Sequence, residues 1–255
     1  MKKVSTLYSA LAAAIALGFN APAQALILTD VVWAIDTSGS MGGDIAQVKQ
    51  RMLEFDTAMI NAGIDAHYGL VRFGGANTLI QDITDFATFT AAGSPFQLLS
   101  ANGGGTEDGS AALEVALGAI FRANTVRNFI LVTDENDDNT GNRGALDTAI
   151  ASTAEKELIN IIRNPGDDDG GYYANLAAAN GGNVFDILAF RNDPAPFFTN
   201  FINTKVSEIK QTFCELNPTD PQCTGTPGNV PEPASLALLG IGLAGLSVMR
   251  RRKAL

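Results

Sequence analysis

The chain has 255 residues, 46% of them hydrophobic, with 17 Lys and Arg against 27 Asp and Glu. That length accommodates one domain with a substantial core. Discounting the six basic residues and one acidic residue of the two terminal segments leaves 11 basic against 26 acidic side chains, a net charge of −15 over residues 26–230. A surface of that sign repels phosphate backbones, which excludes nucleic acid as a partner. It suits an exported protein that stays soluble or holds cations.

Lys2 and Lys3 precede an apolar run from Leu7 to Phe19, and Ala23-Gln24-Ala25 places small residues at the cleavage positions. The order positive, apolar, small predicts a secretory signal peptide over residues 1–25 rather than a membrane anchor.

Val31-Val32-Trp33-Ala34-Ile35 is a continuous apolar run, as in a strand buried on both faces of a parallel sheet, and Phe129-Ile130-Leu131-Val132 repeats it. Ile45, Val48, Met52, Phe55 and Met59 recur at three or four residues and predict an amphipathic helix. Leu113, Ala116, Leu117, Ile120 and Phe121 predict another. Strands are expected at His67–Phe73, Leu79–Ile83, Leu158–Ile162 and Val184–Leu188, and further helices at Ala145–Ala154, Tyr172–Ala179 and Pro196–Phe213. The alternation implies a doubly wound, mostly parallel six-stranded α/β sheet with helices on both faces. The gap between Phe73 and Leu79 is too short for a crossover helix, so those two strands should pair antiparallel at an edge.

Asp36-Thr37-Ser38-Gly39-Ser40-Met41-Gly42 follows the first buried strand, and Thr133-Asp134-Glu135 follows the second. Ligands of doubly wound sheets collect at the carboxyl ends of parallel strands, where the strand order reverses. Gly103-Gly104-Gly105-Thr106-Glu107-Asp108 adds a hydroxyl on a loop of little bulk. Each piece alone reads equally well as a helix cap or a turn. Their convergence predicts a site of hard oxygen ligands, suited to Mg²⁺ or Mn²⁺, or less exactingly to Ca²⁺.

This pattern resembles the metal-ion-dependent adhesion site of von Willebrand factor A domains, with all five positions matched by Asp36, Ser38, Ser40, Thr106 and Asp134. The resemblance runs over residues 28–212, including Ala179-Asn180-Gly181-Gly182-Asn183-Val184-Phe185, and implies a domain over residues 26–213. It implies that the serines and the threonine bind the cation directly while the aspartates act largely through water. It also implies that a protein or matrix ligand docks by presenting an acidic group.

Other chemistry is less well supported. Asp-Thr-Ser-Gly-Ser is not a nucleophile elbow, no Lys follows the glycine-rich loop, and His67 lies alone in a predicted strand, so no enzyme is expected. The run from Asp134 lacks the Gly and Glu positions of an EF-hand. Asp167-Asp168-Asp169 reads as a solvated loop that could also hold Ca²⁺.

Cys214 and Cys223 lie nine residues apart in a Pro- and Thr-rich linker over residues 214–230, and outside the cytoplasm such a pair predicts a disulfide rather than two free thiols. Val230-Pro231-Glu232-Pro233 then leads into an uncharged stretch, Ala234 to Met249, and into Arg250-Arg251-Arg252-Lys253. Sixteen residues of helix rise about 24 Å, slightly less than the roughly 30 Å hydrocarbon core, and flanking arginines that reach the headgroups on the cytoplasmic side allow a short transmembrane helix. Within it Gly240-Ile241-Gly242-Leu243-Ala244-Gly245 mimics a dinucleotide-binding pattern but follows no strand. The tail resembles the PEP-CTERM sorting signal of Gram-negative bacteria, with Pro231, Glu232 and Pro233 as its tripeptide. By that resemblance an exosortase-type enzyme processes the chain, which is anchored through its C-terminus before it reaches the cell surface or the extracellular matrix.

Overall fold

The computed structural model describes residues 26–153, 155–166 and 169–224. The signal peptide, the sorting motif at Pro231–Pro233, the apolar stretch after it, and Asp167 and Asp168 lie outside the described residues. Leu26–Pro218 forms one compact unit. In the other unit, Asp220 Oδ1 accepts from the Gln222 N–H in a short turn. Neither Cys214 nor Cys223 is a free thiol. No described helix is long and apolar enough to cross a membrane.

Six strands, β1 (Ile27–Asp36), β2 (Ile64–Phe73), β3 (Thr78–Thr84), β4 (Val126–Val132), β5 (Glu157–Arg163) and β6 (Val184–Asp186), form one sheet in the order β3-β2-β1-β4-β5-β6. Every neighbouring pair is parallel except β2–β3, the antiparallel edge that the short connection dictates. Side chains alternate across a strand, so β1 sends Val31, Trp33 and Ile35 into one core and Val32 and Ala34 into the other.

The first core is closed by α1 (Gly42–Asn61) and by α8 (Pro194–Leu216). Trp33 meets Phe55 of α1 edge-on at 5.5 Å and Phe201 of α8 at 6.1 Å. The second core lies under α4 (Gly109–Leu117), α5 (Arg143–Ser152) and α6 (Tyr172–Ala179). Two one-turn helices, α2 (Phe86–Phe89) and α3 (Pro95–Leu98), were not expected; the side chains of Asp85 and Ser94 cap them by accepting from Thr88 N–H and Gln97 N–H.

Three expected elements change shape. The strand foreseen at Val184–Leu188 stops at Asp186, whose carboxylate accepts from Leu188 N–H (2.7 Å) and starts helix α7 (Ile187–Asn192). The stripe foreseen through Phe121 ends at Leu117, with Gly118 as the cap. Ile120 is therefore 78% exposed, while Phe121 packs edge-on against Phe129 at 5.7 Å. The first strand starts at Ile27, four residues before the apolar run.

Candidate metal centre

Strands β1 and β4 lie side by side and in register, Ile35 against Val132, so their next residues arrive together at one edge of the sheet. The chain turns one way from β1 to β2 and the other way to β4, which makes this edge the reversal point of the strand order. Asp36 and Asp134 are delivered there.

The loops around them are fixed by backbone bonds. Thr37 N–H and Oγ1 both donate to the Phe73 carbonyl, at 2.8 and 2.5 Å. Gly103 N–H donates to Thr37 O at 2.7 Å, and Gly75 N–H donates to Thr106 O at 2.8 Å. A Cβ on Gly103 would overlap the Gly74 carbonyl oxygen and lie 2.5 Å from Thr37 Oγ1, so only glycine permits this approach. Gly74 has φ +91, in the region that favours glycine.

Within that frame the polar side chains form a chain of hydrogen bonds. Asp36 is fully buried; its Oδ1 accepts from Ser38 N–H (2.7 Å) and its Oδ2 from Thr133 Oγ1 (3.1 Å). Ser38 Oγ and Ser40 Oγ lie 3.1 Å apart, and Ser40 Oγ donates to Asp134 Oδ1 at 3.0 Å. Four of the five predicted positions are thereby linked. Thr106 is the exception: it is exposed, and its hydroxyl makes no hydrogen bond among the described residues.

Two residues outside the motif join the site. Glu107 is 4% exposed, and its Oε2 has no hydrogen-bond partner among the described residues. Carboxylate oxygens of Asp36, Glu107 and Asp134 all lie within 4.8 Å of one another. That is no wider than the roughly 4–5 Å spanned by opposite ligands of Mg²⁺ or Ca²⁺. Arg191, at the end of α7, donates from Nη2 to Asp134 Oδ2 at 2.7 Å and from Nε and Nη2 to Asp44.

The electrostatics follow from crowding like charges in a dry place. Burial, then the neighbouring charges of Asp36 and Glu135, pushes the Glu107 carboxyl up to about 8. Burial also raises Asp36, against the hydrogen bonds from Ser38 and Thr133, with the Asp134 charge adding to the rise. A divalent cation would relieve both effects, and an orphaned Glu107 oxygen among hard oxygen donors fits one. Asp36, Ser38, Ser40, Glu107 and Asp134 would hold it, with Thr106 on the loop directly before Glu107. The cation would supply an electrophilic point for an anionic oxygen.

The motif could not reveal Glu107, one of several acids around the loop, or Arg191, far along the chain from Asp134. Glu107 was signalled only by its place next to Thr106. His67 lies at the other end of the sheet, opposite Asp30 on β1 and 3.9 Å from Asp65.

An open α/β domain with an oxygen-lined site at the reversal of its strand order is the class that this fold and site define. Residues 30–193 match the family model of the von Willebrand factor type A domain, and the chain belongs to that family. Residues 229–253 match the PEP-CTERM protein-sorting motif, the signal of exported Gram-negative proteins that exosortase-type enzymes process. A von Willebrand factor type A structure from Catenulispora acidiphila is similar at 20% identity and TM-score 0.54, covering 72% of this chain and 43% of that one. The conserved hypothetical protein BatB from Bacteroides thetaiotaomicron is similar at 14% identity and TM-score 0.52, covering 72% of this chain and 98% of that one. At these identities the likeness is one of fold, and the chain spans less than half the length of the first of these structures. Comparison with curated proteins gave no match.

Proposed function

We propose that this protein is a non-catalytic binding module of the cell surface or extracellular matrix that engages its ligand through a divalent cation. The observation that carries this reading is the convergence of Asp36, Ser38, Ser40, Glu107 and Asp134 at the reversal point of the sheet, with a buried carboxylate oxygen left unpaired. Mg²⁺ is the favoured ion, because small hydroxyl and carboxylate ligands suit its compact shell, with Mn²⁺ and Ca²⁺ as substitutes. The ligand is a protein or matrix polysaccharide that presents a carboxylate. Beside the site lies a cavity of about 220 Å³ lined by Thr37, Arg72, Asn102 and Gly103, where the exposed Arg72 adds a positive contact for such a group.

A second reading is favoured by the Asp44–Arg191–Asp134 bridge, which ties the site into two helices. In that case the cation mainly stabilises an envelope or matrix protein. A pull-down of native envelope partners with the purified chain, in magnesium and in EDTA, separates the two. Capture that needs magnesium and disappears in Ser38→Ala/Ser40→Ala supports ligand binding. Equal capture in EDTA, with only the melting temperature lowered, overturns it in favour of the structural role.

A further inference from the structure

Helix α8 carries a lysine where its apolar stripe should continue. Phe198, Phe201, Ile202, Ile209 and Thr212 are buried along one face of that helix, and Lys205 sits among them with 0% exposure. Opposite it on β4, Asn128 occupies the same sheet face as Val126 and Ile130, and is likewise fully buried. A buried ammonium is costly unless paired and bonded. Lys205 Nζ has two partners, Asn128 Oδ1 at 2.9 Å and Glu208 Oε2 at 2.9 Å. Glu208 is held from its other side by Asn183 Nδ2.

One atom in this cluster is out of place for a purely structural hydrogen-bond network. Asn128 Nδ2 is buried and has no hydrogen-bond partner among the described residues. A buried amide donor left unpaired beside a buried lysine calls for an explanation of its own. The same arrangement makes sense as a reactant: an amine against an amide carbonyl, a carboxylate touching the amine, an unheld amide nitrogen, and apolar walls that exclude competing water.

We propose that Lys205 and Asn128 condense into an intramolecular isopeptide bond, with Glu208 relaying protons, so that α8 is covalently tied to the central strand β4. Glu208 first takes a proton from the Lys205 ammonium, which burial already holds low, at about 8. The freed Nζ lone pair attacks Asn128 Cγ, forming the new C–N bond. The Cγ–Nδ2 bond then breaks and Nδ2 leaves as ammonia. Of the two protons that Nζ gives up, one passes through Glu208 to the departing nitrogen. The other stays on Glu208 until it is released to solvent. No oxidant, reductant or co-substrate is required, and the orphaned amide donor leaves with the ammonia. The bond stands independently of any cation at the other site.

Intact-mass spectrometry of the purified, reduced chain tests this. The expected result is a mass lower than that of the sequence by one ammonia, with a branched proteolytic peptide joining the segments that contain Asn128 and Lys205. A folded chain of full mass overturns the proposal, as does an ammonia loss with no branched peptide. Glu208→Gln preserves the shape and should return the mass to its full value; retention of the loss would overturn the role given to Glu208. Lys205→Met should likewise have full mass, and a loss persisting there would place the ammonia elsewhere and overturn the bond.

Discussion

Arg191 and Asp134 meet at 2.7 Å through a guanidinium that also grips Asp44 on two oxygens, so a cation of the protein's own occupies one flank of the proposed metal site. Asp44 is almost fully buried, whereas the Arg191 side chain is about a third exposed. Arg191→Ala would strand the Asp44 charge. The loss should be about 1–3 kcal/mol, less than for a fully dry pair because water reaches the guanidinium. The variant should also gain more in melting temperature from saturating magnesium than the wild type does, since the ion replaces the missing positive charge. Equal gains in a thermal melt would show that Arg191 and the cation do not share Asp134.

Loop closure at the site rests on a glycine. Gly103→Ala places a methyl group into the Gly74 carbonyl and against Thr37 Oγ1, both anchored by backbone bonds. The expected cost is about 1–3 kcal/mol, with loss of magnesium binding by calorimetry. Gly105→Ala, where a Cβ meets nothing within 4 Å, should leave both unchanged. Similar behaviour of the two variants would mean that the close approach is not what shapes the loop.

Without divalent metal, the folded chain should become less stable as pH rises. Glu107 is displaced upward from its ordinary value of 4.5 to about 8. Between these values the folded state holds a proton that the unfolded state has released, so stability is fullest below 4.5 and falls toward 8. Denaturant titrations in EDTA should show this slope. Glu107→Gln should flatten it, as should saturating magnesium.

Asp108 caps α4 by accepting from Ala111 N–H at 3.0 Å and also accepts from Asn142 Nδ2. Asp108→Ala should cost about 0.5–2 kcal/mol in urea unfolding. Asp108→Asn keeps a cap oxygen and should recover most of that. No recovery would transfer the role from the cap to the charge.

Much of this architecture could be read from apolar runs alone. The pattern at Val31–Ile35 and at Phe129–Val132 announces strands covered on both faces, and the short link after Phe73 announces the antiparallel edge. Four of the site's residues were legible because they sit directly after those strands. Glu107 and Arg191 were not, because nothing in a linear pattern says that a loop acid or a residue 147 positions from Asp44 will meet them. Asp186 turned a strand into a helix through one side-chain bond, a local competition that hydrophobic periodicity does not record. Lys205 did leave a trace. It falls where the spacing of Phe201, Ile202 and Ile209 calls for an apolar side chain, yet with Glu208 three residues on it reads as an ordinary surface ion pair.

The strand order also sets a timetable. β1 is the first element of the domain but lies between β2 and β4, and its Asp36 shares the site with Asp134, which Arg191 holds from far along the chain. Contacts of such sequence separation form slowly, because loop closure must precede their reward. An N-terminal fragment emerging from the membrane therefore holds the pieces of the site without its geometry. Completion of the proposed metal site is therefore a late event of folding, deferred until almost the whole domain has crossed the membrane.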